Sequence, residues 1–575
     1  MKLKGTPASS GIAIGRAHLM EEDNYCVIKR NVGKKQVKKE KARFKNAISN
    51  AREEFKKQKE QVARDMGKKY SRLFDAYNLI LDDPLLYQDT LDIISSDQLN
   101  AEYALQTVVD RITKTFNLMD DEYMKDRVND IQDVGNKVMR ILLGQNQTTL
   151  KDIQNRVALI AHTLHPSDAV EVKKEKVIGF ATDIGGRTSH IVIMAESLNI
   201  PAVVGLKRVS REVSPGDLVI IDGNRGFVFI NPEPEVIKEY RQKKSDLKED
   251  RKKLIKLQDK PAVTKCGVNI SIAANIEDVD EVNYISKFGP DGIGLYRTEY
   301  LYLNRYDLPS EKEIYENTVK IAKKMNGKKV IVRTVDLGAD KLSRQLKINP
   351  ERDTFMGMRG IRLSLAYPGF FKTQLRAFLR ASRDYDIAIM YPLVTTVKEV
   401  KIANHILGEV MDELKSDGIE FNKNIEIGAM IETPSAALEV EFFAREVDFF
   451  SIGTNDLIQY TMAVNRISES VSYMYNPAEF SVLRLIERVI KKAGETKKWI
   501  SMCGEMAADT LYTELLLGMG LRKFSMSAVN IPKVKQVVRK TTIKRSETLF
   551  GKIKNLDSSH NITAILRRSR DNLFK

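Results

Sequence analysis

The last 315 residues of this 575-residue chain repeat one pattern, in which a short apolar run rich in β-branched residues precedes a longer helical stretch. Regular alternation of strands and helices is typical of a parallel sheet, because each connection between parallel strands needs a crossover of helical length. A count of eight strands favours a closed (β/α)8 TIM-type barrel over an open, doubly wound sheet with the same local pattern. The predicted strands are Asn269–Ala273, Gly292–Leu295, Val330–Val332, Ile387–Tyr391, Ile425–Met430, Phe449–Ile452, Trp499–Met502 and Phe524–Met526.

The first 260 residues follow a different order. Long amphipathic helical periods with little glycine run from about Asn31 to Leu143, and strand-like runs lie on both sides of them. This order predicts an α/β multidomain chain in which an all-helical subdomain is inserted into an α/β domain. The predicted boundaries are 1–22 and 145–231 for the α/β domain, 23–144 for the helical insertion, 232–260 for a charged helical linker and 261–575 for the barrel.

The net charge of +16, from 93 Lys and Arg against 77 Asp and Glu, is concentrated in the predicted helical segment. Between Cys26 and Leu73 there are 17 basic and 5 acidic residues. Such a stretch could bind nucleic acid or an anionic membrane surface. Because apolar residues recur through it at helical spacing, a solvated helix face is the favoured interpretation, and no nucleic-acid partner is expected.

Cysteine usage and hydropathy exclude several classes of protein. The three cysteines, Cys26, Cys266 and Cys503, are far apart and form no CxxC pair, so neither a disulfide framework nor a zinc site is expected. No apolar run approaches the roughly 18 residues that span a bilayer. The N-terminus lacks the apolar stretch of a secretion signal. We therefore expect a soluble, cytoplasmic protein.

The segment Gly185–His190 combines features of a phosphate-handling loop. The Gly185–Gly186 pair lets the backbone approach a ligand, and Arg187 can hold a phosphate through two parallel hydrogen bonds. Two hydroxyl residues follow and predict a helix N-terminus at His190, where unpaired N–H groups favour an arriving anion. His190 is therefore a candidate phosphoryl acceptor, although a capping histidine in an ordinary glycine turn explains the hexapeptide alone equally well.

Polar residues follow the predicted barrel strands at the point where each strand ends. Since reactive groups of such barrels lie at the carboxyl ends of the strands, these side chains are expected to meet. Three guanidiniums suit a small anion that carries phosphate and carboxylate groups, and two carboxylates suit Mg²⁺. A lone cysteine there could donate a proton, or could be a small core residue; each other residue could be a rim ion pair or a turn residue. The residues are Arg297, Arg333, Glu432, Asn455, Asp456, Arg466 and Cys503.

Two segments resemble the signatures of the PEP-utilising enzymes. The run from Asp183 to Gly205 is similar to the phosphohistidine signature of that family, and the run from Asp448 to Arg466 is similar to its second signature, in the site for phosphoenolpyruvate (PEP) and Mg²⁺. The resemblance implies a swivelling phosphohistidine domain that carries His190 as the phosphoacceptor. It further implies Mg²⁺ bound by Glu432 and Asp456, and Cys503 as the acid that protonates the enolate carbon to give pyruvate. The residues matched to PEP binding are Arg297, Arg333, Asn455 and Arg466, together with Arg359.

Domain order narrows the resemblance to the Enzyme I branch of the family. The dikinase and synthase branches need a nucleotide-binding domain ahead of the phosphohistidine, and the roughly 180 residues available here contain no glycine-rich nucleotide loop. The resemblance extends from Gly5 to about Ile531 and includes Asp120–Tyr123. It implies that the helical insertion binds the phosphocarrier protein HPr, that sugar uptake is served, and that the barrel forms a homodimer. A regulatory paralogue and a basic nucleic-acid-binding protein with an inactive fold are the alternatives.

Overall fold

The computed structural model describes residues 1–20, 27–65, 71, 73–117, 122–144, 155–164, 176–185, 195, 200–303, 305, 307–346, 356–466 and 471–574. The chain forms two compact units, residues 1–250 and 251–575. Across the described residues, the helices are too short or too polar to cross a membrane.

The first unit is built on a mixed eight-stranded sheet with the strand order β1-β8-β7-β3-β4-β5-β6-β2. Strands β3 to β6 run parallel, whereas β1, β2, β7 and β8 are added through antiparallel pairs. Because β3 pairs directly with β4, the chain leaves the sheet after Leu19 and returns at Val157, which allows the helical insertion. The strands are β1 Lys2–Lys4, β2 Thr6–Ser9, β3 Ile12–Leu19, β4 Val157–Ala161, β5 Val177–Thr182, β6 Ala202–Val204, β7 Leu218–Asp222 and β8 Phe227–Ile230.

The described residues between β3 and β4 form helices that pack around a common apolar core. Phe44, Phe55, Phe74 and Tyr77 are fully buried there, and apolar residues of the sheet belong to the same core. A new helix begins at Pro84, where Asp83 accepts a hydrogen bond from the Leu85 N–H at 2.9 Å and proline occupies the first turn. The helices are α1 Lys34–Asp65, α2 Leu73–Leu81, α3 Pro84–Ser96, α4 Ala101–Asn117, α5 Glu122–Leu143, α6 Val209–Glu212 and α7 Pro234–Ile255.

The second unit is a closed barrel of eight parallel strands, which confirms the predicted fold and rules out the open sheet. Each strand pairs with the next along the chain, and β16 pairs with β9 to close the ring. Arg297 and Arg333 are the last residues of their strands, whereas the sequence pattern placed them just beyond. The strands are β9 Ser271–Ile276, β10 Ile293–Arg297, β11 Val330–Arg333, β12 Ile387–Tyr391, β13 Glu426–Ile431, β14 Phe449–Ile452, β15 Trp499–Met502 and β16 Lys523–Met526.

The predicted start of the first barrel strand at Asn269 was wrong by two residues. Asn269 forms an antiparallel bridge with Val263, and the Thr264 N–H donates to the Val268 carbonyl at 3.0 Å. This local turn uses the backbone groups that a strand would offer to its neighbours, so β9 begins only at Ser271.

Helices surround the barrel, and a stacked pair of aromatic rings lies at the amino ends of its strands. The Phe449 ring stacks on Trp499 with centroids 4.2 Å apart, and Lys523 Nζ lies 3.9 Å from the indole centroid. These rings close one end and leave the carboxyl ends for a site.

The helices of the second unit are α8 Glu281–Ile285, α9 Glu311–Lys324, α10 Ala339–Leu346, α11 Ile361–Ala366, α12 Pro368–Ala381, α13 Val397–Ser416, α14 Pro434–Leu438, α15 Val440–Phe443, α16 Thr454–Met462, α17 Phe480–Glu495, α18 Glu505–Ala508, α19 Thr513–Gly518, α20 Ile531–Lys540, α21 Ile543–Ile553 and α22 Ser559–Phe574.

Candidate active site

Three carboxylates converge at the carboxyl ends of the barrel strands. Asp336 lies in the loop after β11, Glu432 directly follows β13, and Asp456 lies in the first turn of α16. One oxygen from each can be chosen so that all three lie within 4.8 Å of one another. The rule that reactive groups follow the carboxyl ends of barrel strands, here called the strand-end rule, predicted Glu432 and Asp456 at this position. The structure adds Asp336.

Two guanidiniums hold Asp336 in place. Arg359 donates to it through both Nε, at 3.1 Å from Oδ1, and Nη2, at 3.0 Å from Oδ2. Arg333 Nη1 lies 3.1 Å from Asp336 Oδ2, and its Nη2 donates to Glu299 at 2.8 Å. Arg359 reaches this position because it forms a backbone bridge with Gly338, just beyond the β11 loop. Arg359 Nη2 also lies 3.7 Å from Asp456.

Electrostatics separate the roles of the carboxylates. Burial by itself would raise the pKa of Asp336, but the guanidiniums of Arg333 and Arg359 outweigh it and lower that pKa. Burial raises the pKa of Glu432 well above its ordinary value, and the negative charges of Asp456 and Asp336 add to this. Asp336 is therefore stable as an anion, whereas Glu432 lacks sufficient positive charge nearby.

A cation fits the environment of Glu432. Its carboxylate is buried, with Oε1 accepting a hydrogen bond from the Leu393 N–H at 2.6 Å. Leu393 adopts a left-handed backbone conformation, with φ of 52°, to aim that N–H. Oxygen ligands from one or two carboxylates are typical of Mg²⁺ sites, and a buried carboxylate beside others is stabilised by positive charge. Glu432 and Asp456 could thus hold a divalent metal ion.

Cys503 follows β15 and points its thiol into this region. Its side chain is buried, and Sγ lies 3.8 Å from the Ile452 carbonyl oxygen. Burial raises the pKa of the thiol. A hydrogen bond from Ser451 lowers that pKa, and the negative charge of Glu432 raises it, so that the pKa remains above its ordinary value. Cys503 also packs against Leu295 and Met430 in the barrel interior, so the two interpretations of this cysteine are compatible. A protonated thiol in such a place can act as an acid.

Arg297, Asn455 and Arg466 lie at the more open rim, each beside a carboxylate. Arg297 Nη1 donates to Glu277 at 3.0 Å, and about a third of its side chain is exposed. Asn455 Nδ2 donates to Glu505 Oε1 at 3.3 Å, and Arg466 Nη1 lies 4.0 Å from the same oxygen. Arg297 ends β10 at the same end of the barrel, and its positive charge adds to the lowering of the Asp336 pKa and opposes the burial that raises the Cys503 pKa.

The sequence interpretation missed the carboxylates that organise the guanidiniums. Asp336, Glu299 and Glu505 all lie within three residues of a residue that the strand-end rule selected. Proximity in sequence was therefore the available signal. What it could not provide was the pairing across loops, such as Glu299 with Arg333.

His190, the candidate phosphoryl acceptor, lies outside the described residues, as do Asp120 and Asp121. The approach to the histidine segment is described as far as Gly185, which adopts a φ of 133° that favours glycine. Before it, Asp183 is buried and accepts hydrogen bonds from the Ser210 hydroxyl and, at 3.2 Å, from the Ser210 N–H. The role of His190 therefore stays a prediction.

Comparison with known proteins gives consistent results along the chain. Family models of the PEP-utilising enzymes match residues 4–127 (N-terminal), 153–226 (mobile domain) and 251–543 (PEP-binding domain). The chain is 42% identical over 568 residues to the phosphoenolpyruvate-protein phosphotransferase of Bacillus subtilis (strain 168), covering 99% of both chains. It is 43% identical over 538 residues to that of Staphylococcus carnosus (strain TM300), covering 94% of both. An NMR solution structure of Enzyme I (nEIt) covers 43% of the chain and 99% of its own, at 40% identity and a TM-score of 0.38.

The fold and the site define a barrel enzyme of the PEP-utilising class, with basic groups, carboxylates and a protonated thiol at one mouth. The chain belongs to the phosphoenolpyruvate-protein phosphotransferase family, the Enzyme I branch of that class. It is a phosphotransferase of the phosphotransferase system, with PEP as the donor and a protein as the acceptor.

Proposed function

We propose that the enzyme is cytoplasmic, transfers the phosphoryl group of PEP to His190, releases pyruvate, and passes the group to a histidine of HPr, which starts sugar uptake by the phosphotransferase system. The observation that carries this proposal is the position of a buried, protonated thiol, Cys503, beside the guanidinium and carboxylate groups of the barrel mouth. A site that only bound a phosphorylated anion would need no acid at that point.

The substrate is a small anion with a phosphate and a carboxylate. Arg333 and Arg359 are held by buried carboxylates and present charge inside the mouth, whereas the rim groups Arg297, Asn455 and Arg466 are more exposed and can adapt to the substrate. We assign all five to PEP binding, because planar guanidiniums match phosphate and carboxylate groups. Glu432 and Asp456 would hold Mg²⁺, which, when bound, would neutralise charge on the transferring group.

The transfer exchanges one bond to phosphorus for another. A nitrogen lone pair of His190 forms the N–P bond while the bridging P–O bond of PEP breaks and leaves its electrons on the enolate. The S–H of Cys503 then protonates the terminal enolate carbon to give pyruvate, and the thiolate regains a proton from water. The raised pKa of Cys503 supports this role, because a thiol that retains its proton at neutral pH can deliver it when the enolate forms.

The helical subdomain offers a surface for the carrier protein. Leu79 of α2 and Leu85 of α3, on either side of the turn between these two helices, have exposed fractions of 64% and 52%, and apolar side chains exposed together can form an interaction site. Asp75, one turn before Leu79 on α2, pairs with Lys59 of α1, and Asp82, just beyond the end of α2, pairs with Arg52. The apolar residues are therefore bordered by the basic edge of α1. We propose that HPr binds here through an apolar centre surrounded by acidic residues. The basic residues of this edge are Lys34, Lys38, Lys45, Arg52, Lys56 and Lys59.

A homodimer through the barrel is proposed on similar grounds. Ile402, Leu438 and Phe442 lie on the outer helices α13, α14 and α15, and their exposed fractions are 40%, 53% and 47%. These helices contact one another, and apolar side chains exposed together on one face can form a protein interface. Replacing Phe442 by Asp should shift the sedimentation of the purified protein towards the monomer.

Incubation with radiolabelled PEP and Mg²⁺ tests the proposal. We expect an acid-labile, base-stable label on the wild-type protein, its absence in His190→Ala, and its transfer to added HPr. Pyruvate formation is followed in parallel by a coupled assay. Labelling of the His190→Ala variant at the wild-type level would disprove the assignment of the acceptor, and tight DNA binding without labelling would favour the nucleic-acid-binding alternative.

A further inference from the structure

The Glu505 carboxylate contacts two groups that the proposed function assigns to the substrate. Its Oε1 accepts a hydrogen bond from Asn455 Nδ2 at 3.3 Å and lies 4.0 Å from Arg466 Nη1. No other carboxylate within the described residues forms a salt bridge with Arg466. A carboxylate of the protein thus stands where those groups would receive a carboxylate or phosphate of the substrate.

The geometry of Asn455 does not depend on that carboxylate. The backbone N–H of Glu505 donates to Asn455 Oδ1 at 2.9 Å, which fixes the amide orientation and directs Nδ2 towards the mouth. Gly504 makes this possible, because a Cβ there would stand 2.6 Å from the Thr454 nitrogen and would separate the two loops. The backbone of Glu505 therefore positions Asn455, and the side chain serves another purpose.

The exposure of the side chains shows that the carboxylate is easily displaced. The side chain of Glu505 is 81% exposed and that of Arg466 is 42% exposed, whereas the inner pair of Arg333 and Asp336 is 9% and 3% exposed. Ion pairs in contact with solvent contribute little to stability, so a substrate anion can replace Glu505 at small cost. Tyr475 lies beside the same groups. Burial is the main cause that raises the pKa of Tyr475 to about 12; the charge of Glu505 adds to it, and the charge of Arg466 acts in the opposite direction.

We infer that the Glu505 carboxylate occupies Asn455 and Arg466 in the substrate-free enzyme and competes with the anionic substrate for them. Glu505 is thus a positioning residue that sets the apparent affinity for PEP and returns to its partners as pyruvate leaves. The inference rests on the proposed function, because it assumes that Asn455 and Arg466 bind PEP.

Steady-state phosphorylation of HPr at varied PEP tests the inference with Glu505→Gln. Glutamine removes the charge but keeps an acceptor oxygen for Asn455. We expect the KM for PEP to fall by about two- to fivefold, the range of an exposed ion pair, with kcat unchanged within about twofold. The difference should shrink as salt is added, since exposed charges are screened. The matched control is Glu495→Gln, at the end of α17, where the carboxylate pairs with Lys492 at 2.8 Å away from the mouth.

A purely structural role makes the opposite prediction. It requires Glu505→Gln to leave KM unchanged and Glu505→Ala to raise it, and either result would overturn the inference. Calorimetric titration of PEP into His190→Gln, with and without Glu505→Gln, separates binding from turnover. A chain that binds no PEP would overturn the proposed function and the inference together. PEP binding and His190 labelling with an unchanged KM would overturn only the inference.

Discussion

The barrel mouth and the surface of α1 are both rich in charge, yet the two regions treat it differently. At the mouth, Arg333 and Asp336 are buried and each contacts groups of opposite charge. On α1, Lys34, Lys45 and Lys56 are exposed and have no salt-bridge partner within the described part of the chain. Burial makes compensation obligatory, whereas water makes it optional. Removing one charge should therefore destabilise the mouth, whereas on α1 it should change only the binding of a partner.

Asp336→Asn should have the largest effect. It leaves Arg333 and Arg359 without their shared carboxylate, and breaking a buried ion pair costs about 3–5 kcal/mol. Trp499, the single tryptophan of the chain, lies on β15 and reports barrel unfolding in denaturant by fluorescence. The matched control is Asp417→Asn, which removes an exposed partner of Arg376 at 2.8 Å and should cost less than about 1 kcal/mol. Equal losses for both variants would contradict the comparison.

Cys503→Ala should abolish most pyruvate formation. A positioned general acid contributes about 10²- to 10⁴-fold in rate, so turnover with HPr should fall within that range. Cys266, which is exposed, provides a matched alanine control with wild-type turnover expected. Wild-type rates of pyruvate release by Cys503→Ala would remove the thiol from the mechanism.

Charge reversal on α1 should change carrier recognition without changing stability. Lys56 lies towards the edge of α1 that borders α2, and Lys57 points about 100° away around the helix. We expect Lys56→Glu to raise the KM for HPr by about tenfold at low salt, because a basic border attracts an acidic partner, and Lys57→Glu to have little effect. Equal KM values for the two variants would show that the basic edge takes no part in docking.

The smallest effect concerns Glu102, a buried carboxylate of the helical subdomain. Burial would raise its pKa, but its own backbone N–H, Arg43 at 2.5 Å and Asn100 lower it overall. A depressed folded-state pKa stabilises the protein above the unfolded pKa of about 4.3 and loses that effect as the pH falls through the folded value. Glu102→Gln should therefore be less stable by about 1 kcal/mol at neutral pH.

Circular dichroism melts measured down through the acid range check this pH dependence. The wild type and Glu102→Gln should differ at neutral pH and converge in acid. A difference that persists unchanged below the folded-state pKa would show that packing, rather than charge, explains the loss.

Topology explains how much of the structure the sequence could predict. The eight barrel strands were found because each is an apolar run between helices, and the strand-end rule then selected Arg333, Glu432, Asp456 and Cys503, which the structure brings together. The assignments of these residues to PEP, Mg²⁺ and proton transfer stay predictions, as do the domain boundaries.

Interactions across loops could not be read from the sequence. Whether Glu299 pairs with Arg333 or with the nearer Arg297 depends on how two strand ends meet in space. The late start of β9 likewise depends on a turn whose hydrogen bonds compete with the sheet. Sequence periodicity registers neither effect, since both arise only once the chain is folded.

Gly504 approaches Thr454 so closely that the loops after β14 and β15 cannot move independently of each other. Asn455 follows one contact point and Cys503 precedes the other, so the amide and the thiol cannot be moved separately. Any side chain at position 504 would displace both at once. Substitutions that change substrate preference should therefore lie elsewhere around the mouth and leave this spacing intact.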